Sequence, residues 1–105
     1  MPETTPNPEP VAQAELVLDE SQAQANYSNF ARVTATPEEV ILDFALNPNP
    51  FRTGKQEVKV AQRLILNFYT AKRLASALAM TLQRHEATFG QIELDVRRRA
   101  HMPPH

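Results

Sequence analysis

Hydrophobic positions along this chain change period once, and that change lays out a fold. From Val40 to Leu46 they alternate: Val40, Leu42, Phe44 and Leu46 share one face, with Ile41, Asp43 and Ala45 on the other. Val58, Val60, Leu64 and Leu66 repeat the pattern, with Gln62 as the polar exception and Lys59, Ala61, Arg63 and Ile65 opposite. Tyr27–Ala35 is aromatic and β-branched with partial alternation, which predicts a first strand. Beyond Asn67 the period becomes helical. Ala71, Ala75, Leu78, Leu82, His85 and Phe89 recur at spacings of four and three, with Leu74, Ala77 and Met80 widening the stripe. Asn67 suits a helix N-cap and Gly90 a helix stop, so the pattern predicts one helix over 67–89.

The punctuation agrees. Thr36-Pro37-Glu38-Glu39 has the order of a helix start, yet no helical stripe follows, so a tight turn between strands is expected. Asn47-Pro48-Asn49-Pro50 ends the second strand and opens a loop reaching Gln56. After Gly90, Ile92, Leu94 and Val96 alternate with Glu93, Asp95 and Arg97, which predicts a short fourth strand. The expected architecture is α+β: an antiparallel three-stranded meander, then one long helix packed on its apolar face.

Length and charge divide the chain further. At 105 residues it holds one domain, expected over residues 26–96. Residues 1–25 carry Glu3, Glu9, Glu15, Asp19 and Glu20 with no basic residue, and Pro2, Pro6, Pro8 and Pro10 oppose regular structure. They read as a disordered acidic tail, in which Leu16, Val17 and Leu18 retain a docking potential. Residues 97–105, opening on Arg97-Arg98-Arg99, read as a flexible basic tail. The overall charge of −1 therefore conceals an acidic start and a basic body.

Composition removes several chemistries. The chain has no cysteine, which excludes a disulfide framework, thiolate metal sites and a cysteine nucleophile. No run approaches the ~20 apolar residues of a spanning helix, and the N-terminus lacks the features of a secretory signal. A cytoplasmic protein without a membrane partner is expected. The glycines, Gly54 and Gly90, stand too far apart for a phosphate-cradling loop. Ser28 and Ser76 lack a nucleophile motif, and a cross-strand ion pair accounts for Asp43 better than a general base does. His85 belongs to the helix stripe, while His101 and His105 flank two prolines. No catalytic residue, metal site or cofactor is expected, and the chain does not read as an enzyme.

Certain residues carry a family resemblance. Tyr27-Ser28-Asn29, Pro37-Glu38-Glu39, Asp43-Phe44, Ala71-Lys72-Arg73-Leu74 and Phe89-Gly90, in that order, resemble a family of small, uncharacterised bacterial proteins known as a domain of unknown function. The resemblance spans about residues 27–92 and departs from the family pattern at Ser28, where alanine is commoner, and at Phe68, where proline often opens the helix. It implies a shared scaffold and no assigned activity.

Two functional expectations follow. A three- or four-stranded sheet with one helix makes a thin core, and the wide stripe exceeds what covering that sheet requires. The leading expectation is a homo-oligomeric interaction or scaffold module, a dimer above all, with Leu74, Leu78, Leu82, His85 and Phe89 at the dimer or partner interface. The alternative is single-stranded nucleic acid bound by Lys59, Arg63, Lys72, Arg73, Arg97, Arg98 and Arg99, with aromatic side chains to stack on bases.

Overall fold

The computed structural model describes residues 14–100. Three strands, β1 (Phe30–Ala35), β2 (Glu39–Ala45) and β3 (Val60–Asn67), form an antiparallel meander in the order β1-β2-β3. The β1–β2 turn is held by Thr36. Its Oγ1 accepts from the N–H groups of Glu38 and Glu39, and its own N–H donates to the Glu39 carbonyl. This is the tight turn expected at Thr36–Glu39, with the threonine capping a turn instead of a helix.

Strand β1 begins at Phe30 and not at Tyr27, because Asn29 replaces the next rung with its side chain. Its amide donates to the Asn47 carbonyl at 2.8 Å and accepts from the Asn47 N–H at 2.7 Å, continuing the ladder past the end of β2. Asn47 Oδ1 then accepts from Asn49 N–H and turns the chain into the long loop before β3.

One expectation about β3 fails. Phe44 lies opposite Gln62 but Ala45 lies opposite Val60, so Ala61 is an extra residue in the strand. A bulge inverts the side-chain phase beyond it. Val60 therefore joins the face of Ala45 and leaves the apolar face of Val40, Leu42, Phe44, Leu64 and Leu66.

Helix α1 (Phe68–Phe89) starts without a loop at the end of β3. Asn67 caps it, its Oδ1 accepting from Thr70 N–H at 2.7 Å. Gly90 ends it, donating to the Glu86 carbonyl with φ 95° and ψ 171°, a mirror-extended conformation that only glycine enters without strain. The helix contacts β2 and β3 and presents Ala71, Leu74, Ala75 and Leu78 to the apolar face of the sheet. Met80 does not widen this stripe. At 3.6 residues per turn it falls opposite Ala71 and Leu78, where its sulfur meets the Arg84 guanidinium.

No fourth strand forms among the described residues. Residues 91–95 run without a partner strand, fastened where Glu86 accepts from Ile92 N–H at 2.9 Å. A one-turn helix α2 (Val96–Arg99) follows, capped by Asp95, whose carboxylate accepts from Arg97 N–H. Alternation at Ile92, Leu94 and Val96 has no sheet edge to join, and the Asp95 cap prevails. Arg97–Arg99 lie in this helical turn. The expected tail at residues 1–13, with its prolines, and His101 and His105 lie outside the described residues.

Candidate interaction surfaces

The two faces of the sheet are built on opposite plans. On one face the middle strand carries Ile41, Asp43 and Ala45; Ile41 is half-buried, while Asp43 and Ala45 are each only 1% exposed although no layer covers them. Their shelter comes from larger neighbours in register: Arg32 and Arg63 flank Asp43, and Phe30 and Val60 flank Ala45. At these two positions a small group in the middle strand lies between longer ones at the sides and is sheltered by them.

The closure is electrostatic as well as steric. Asp43 Oδ1 accepts from Arg63 Nε at 2.6 Å, and Oδ2 accepts from Arg32 Nη2 at 2.7 Å. Hydrogen bonds from Arg63, and then from Arg32, hold the Asp43 carboxyl well below its usual 3.8, at about 2, with burial opposing them. The same contact raises the Arg63 guanidinium. A carboxylate between two charged, directional donors is a structural clamp. It fits the cross-strand ion pair expected at Asp43, with a second arginine added.

The other face reverses the plan. Here the middle strand carries large side chains, Leu42 and Phe44, while β1 offers only Ala31, Val33 and Ala35. β3 supplies Leu64 and Leu66 on the other side and Val40 is buried, but the small β1 flank leaves Leu42 and Phe44 half-covered, and the helix does not complete the cover. Between sheet and helix an apolar groove of about 320 Å³ stays open, walled by Val33, Leu42, Phe44 and Leu66 on one side and by Leu74 and Leu78 on the other. No residue of α1 is buried; Leu78 is 53% exposed. Val40 and Ala45 are the buried hydrophobic residues among those described.

The helix also outruns the sheet. Its 22 residues span roughly 33 Å at about 1.5 Å per residue, against roughly 24 Å for the seven residues of β2. Beyond the groove the stripe continues as Leu82, His85 and Phe89, with His85 and Phe89 rings 4.9 Å apart. Leu82 is 50% and Phe89 65% exposed.

The candidate cations do not converge. Arg63 is engaged by Asp43, and Lys59 precedes β3 on the far side of the bulge, out of phase with it. Lys72 and Arg73 lie with Tyr69 and Ser76 on the outer side of α1. Arg97 and Arg98 face Asp95 and Glu93 at 3.7 Å each, and Arg99 borders a hollow beside His85 and Phe89. Arg32 was absent from the expected set, although its register with Asp43 makes it half of the clamp. Among the described residues no group of three or more histidine, aspartate and glutamate side chains is placed to hold a metal ion, and no helix is long and apolar enough to cross a membrane.

These surfaces define a small α+β protein with one ion-paired sheet face and one open apolar groove. The chain belongs to a family described as protein of unknown function (DUF3467), which it matches over residues 2–94. That match extends well upstream of the 27–92 span carried by the motifs. No match was found among curated proteins or among solved structures. The motif residues take structural positions here. Asn29 extends the ladder, Asp43 holds the clamp, Ala71 and Leu74 wall the groove, and Gly90 stops the helix.

Proposed function

We propose that the protein is a non-enzymatic, homo-oligomeric interaction module whose basic unit is a dimer closed over the groove. One observation carries this reading: among the described residues the groove lacks a filler, and the Leu82–Phe89 half of α1 lacks a floor. A two-fold arrangement satisfies both, laying the overhanging half-helix of each copy across the groove of the other. A partner already present in fixed proportion is also what so small a core requires. The assembled body would present its outer helix faces and termini to other cellular proteins, consistent with a cytoplasmic setting.

Single-stranded nucleic acid is the weaker reading, because its candidate cations are spread over separate surfaces and Arg63 is neutralised by Asp43. Light scattering on the full chain at micromolar concentration tests the leading reading. A dimer is expected, and a strict monomer would overturn it. Oligonucleotide titration at low salt tests the second, for which a steep loss of affinity with added salt is required.

A further inference from the structure

We infer that the segment of residues 14–20 exchanges between two copies, adding as an edge strand to β1 of the second copy. The inference rests on the dimer proposed above and concerns which elements cross between its halves.

The segment stands clear of its own domain. Leu16, Val17 and Leu18 are 81%, 82% and 73% exposed, three consecutive large apolar side chains without cover. Among the described residues its main chain is bonded to no strand. A turn closes its far end, where Ala23 N–H donates to the Glu20 carbonyl and the Asp19 carboxylate accepts from Ser21 N–H. The family match begins at residue 2, so this segment lies inside the matched stretch and is not an appendage to it.

The receiving edge is chosen by what the two edge strands lack. Edge strands are normally guarded by proline, lysine, a bulge or a covering element. β3 has the bulge at Ala61 and the contact with α1. β1, Phe-Ala-Arg-Val-Thr-Ala, has neither: among the described residues it pairs with β2 alone, it is exposed along its length, and its one charge, Arg32, turns inward to Asp43. It is an unguarded template for another strand.

Pattern and charge fit the two together. In an extended segment Leu16 and Leu18 share one side, while Glu15, Val17 and Asp19 share the other. Leu16 and Leu18 would extend the apolar face beside Ala31 and Val33, supplying the large flank that β1 itself does not provide. Glu15 and Asp19 would fall on the Arg32 side, where the guanidinium is still 52% exposed. There the clamp sets the one carboxylate of Asp43 between two guanidiniums, and the acidic segment meets the net positive charge that remains.

The test uses the full chain as a mixed sample of isotope-labelled and unlabelled copies. Isotope-filtered NOE spectra are expected to show contacts between copies from the Leu16 and Leu18 methyl groups to those of Val33. Amides of residues 15–19 should exchange about tenfold more slowly than in the Leu16→Asp/Leu18→Asp variant. That variant should remain dimeric through the groove, with about tenfold weaker association. A dimer in which these contacts are absent, or arise only within one copy, would overturn strand exchange and leave the groove dimer standing. Unchanged association and amide exchange in the variant would do the same. A monomer by light scattering would overturn both.

Discussion

The two faces of one three-stranded sheet shield its middle strand in different ways. Both faces must shield the middle strand from water. On the Asp43 face the carboxylate of Asp43 and the methyl group of Ala45 lie between longer side chains that shelter them, beside a half-buried Ile41. The Leu42 face places bulk in the middle, with Leu64 and Leu66 on the β3 side but only Ala31, Val33 and Ala35 on the β1 side. Hydrophobic content alone would rank the second face as the better core. The order of sizes across the strands, and not the total of apolar atoms, decides whether a lone sheet covers itself.

The largest effect expected from breaking this contrast is at Leu78. If the groove is an interface, Leu78→Asp removes a buried side chain worth about 1.5–3 kcal/mol from each of two copies. Association should then weaken about a hundredfold or more, read by sedimentation equilibrium. In a functional monomer the same change, at a half-exposed position, would leave mass and melting temperature unmoved.

On the closed face, Asp43→Asn keeps the size but removes the charge that engages both arginines. The melting temperature should fall, and changing both arginines to glutamine in that background should cost less than it does in the native protein. The pH dependence has a definite sign. The Asp43 carboxyl titrates at about 2 in the folded chain against 3.8 for the free group. Its contribution is therefore complete above pH 3.8 and is lost as pH falls toward 2. Thermal melts across that interval should show the native protein losing stability that the Asp43→Asn variant never had. The smallest effect belongs to Asn67→Ala, which removes the cap at the strand–helix junction and should cost about 1 kcal/mol in denaturant titration. It touches neither face and calibrates the others.

Much of this architecture was legible in the residues. The phase of β2, the turn at Thr36, both ends of α1 and the order of elements follow from local rules that hold whatever surrounds them. What escaped depends on neighbours. Val58 to Leu66 alternates without interruption in sequence, and the phase change at Ala61 exists only in its pairing with β2. The alternation from Ile92 to Val96 is genuine, but a strand needs an open edge within reach, which no local pattern reports. Asp95 ahead of three arginines was a readable cap that the alternation masked. Of the candidate interface, the helix half was visible in the stripe. The sheet half was not, because the small residues of β1 acquire meaning only beside Leu42 and Phe44.

Asn29 carries a consequence for chemical ageing. Its amide presents a donor to one backbone group of Asn47 and an acceptor to another, so the rung depends on the difference between one nitrogen and one oxygen. Deamidation would exchange that nitrogen for oxygen and set a negative charge against the Asn47 carbonyl, 2.8 Å away in the intact rung. Aged preparations that open at the root of β1, where residues 14–28 join the sheet, should carry aspartate at this position.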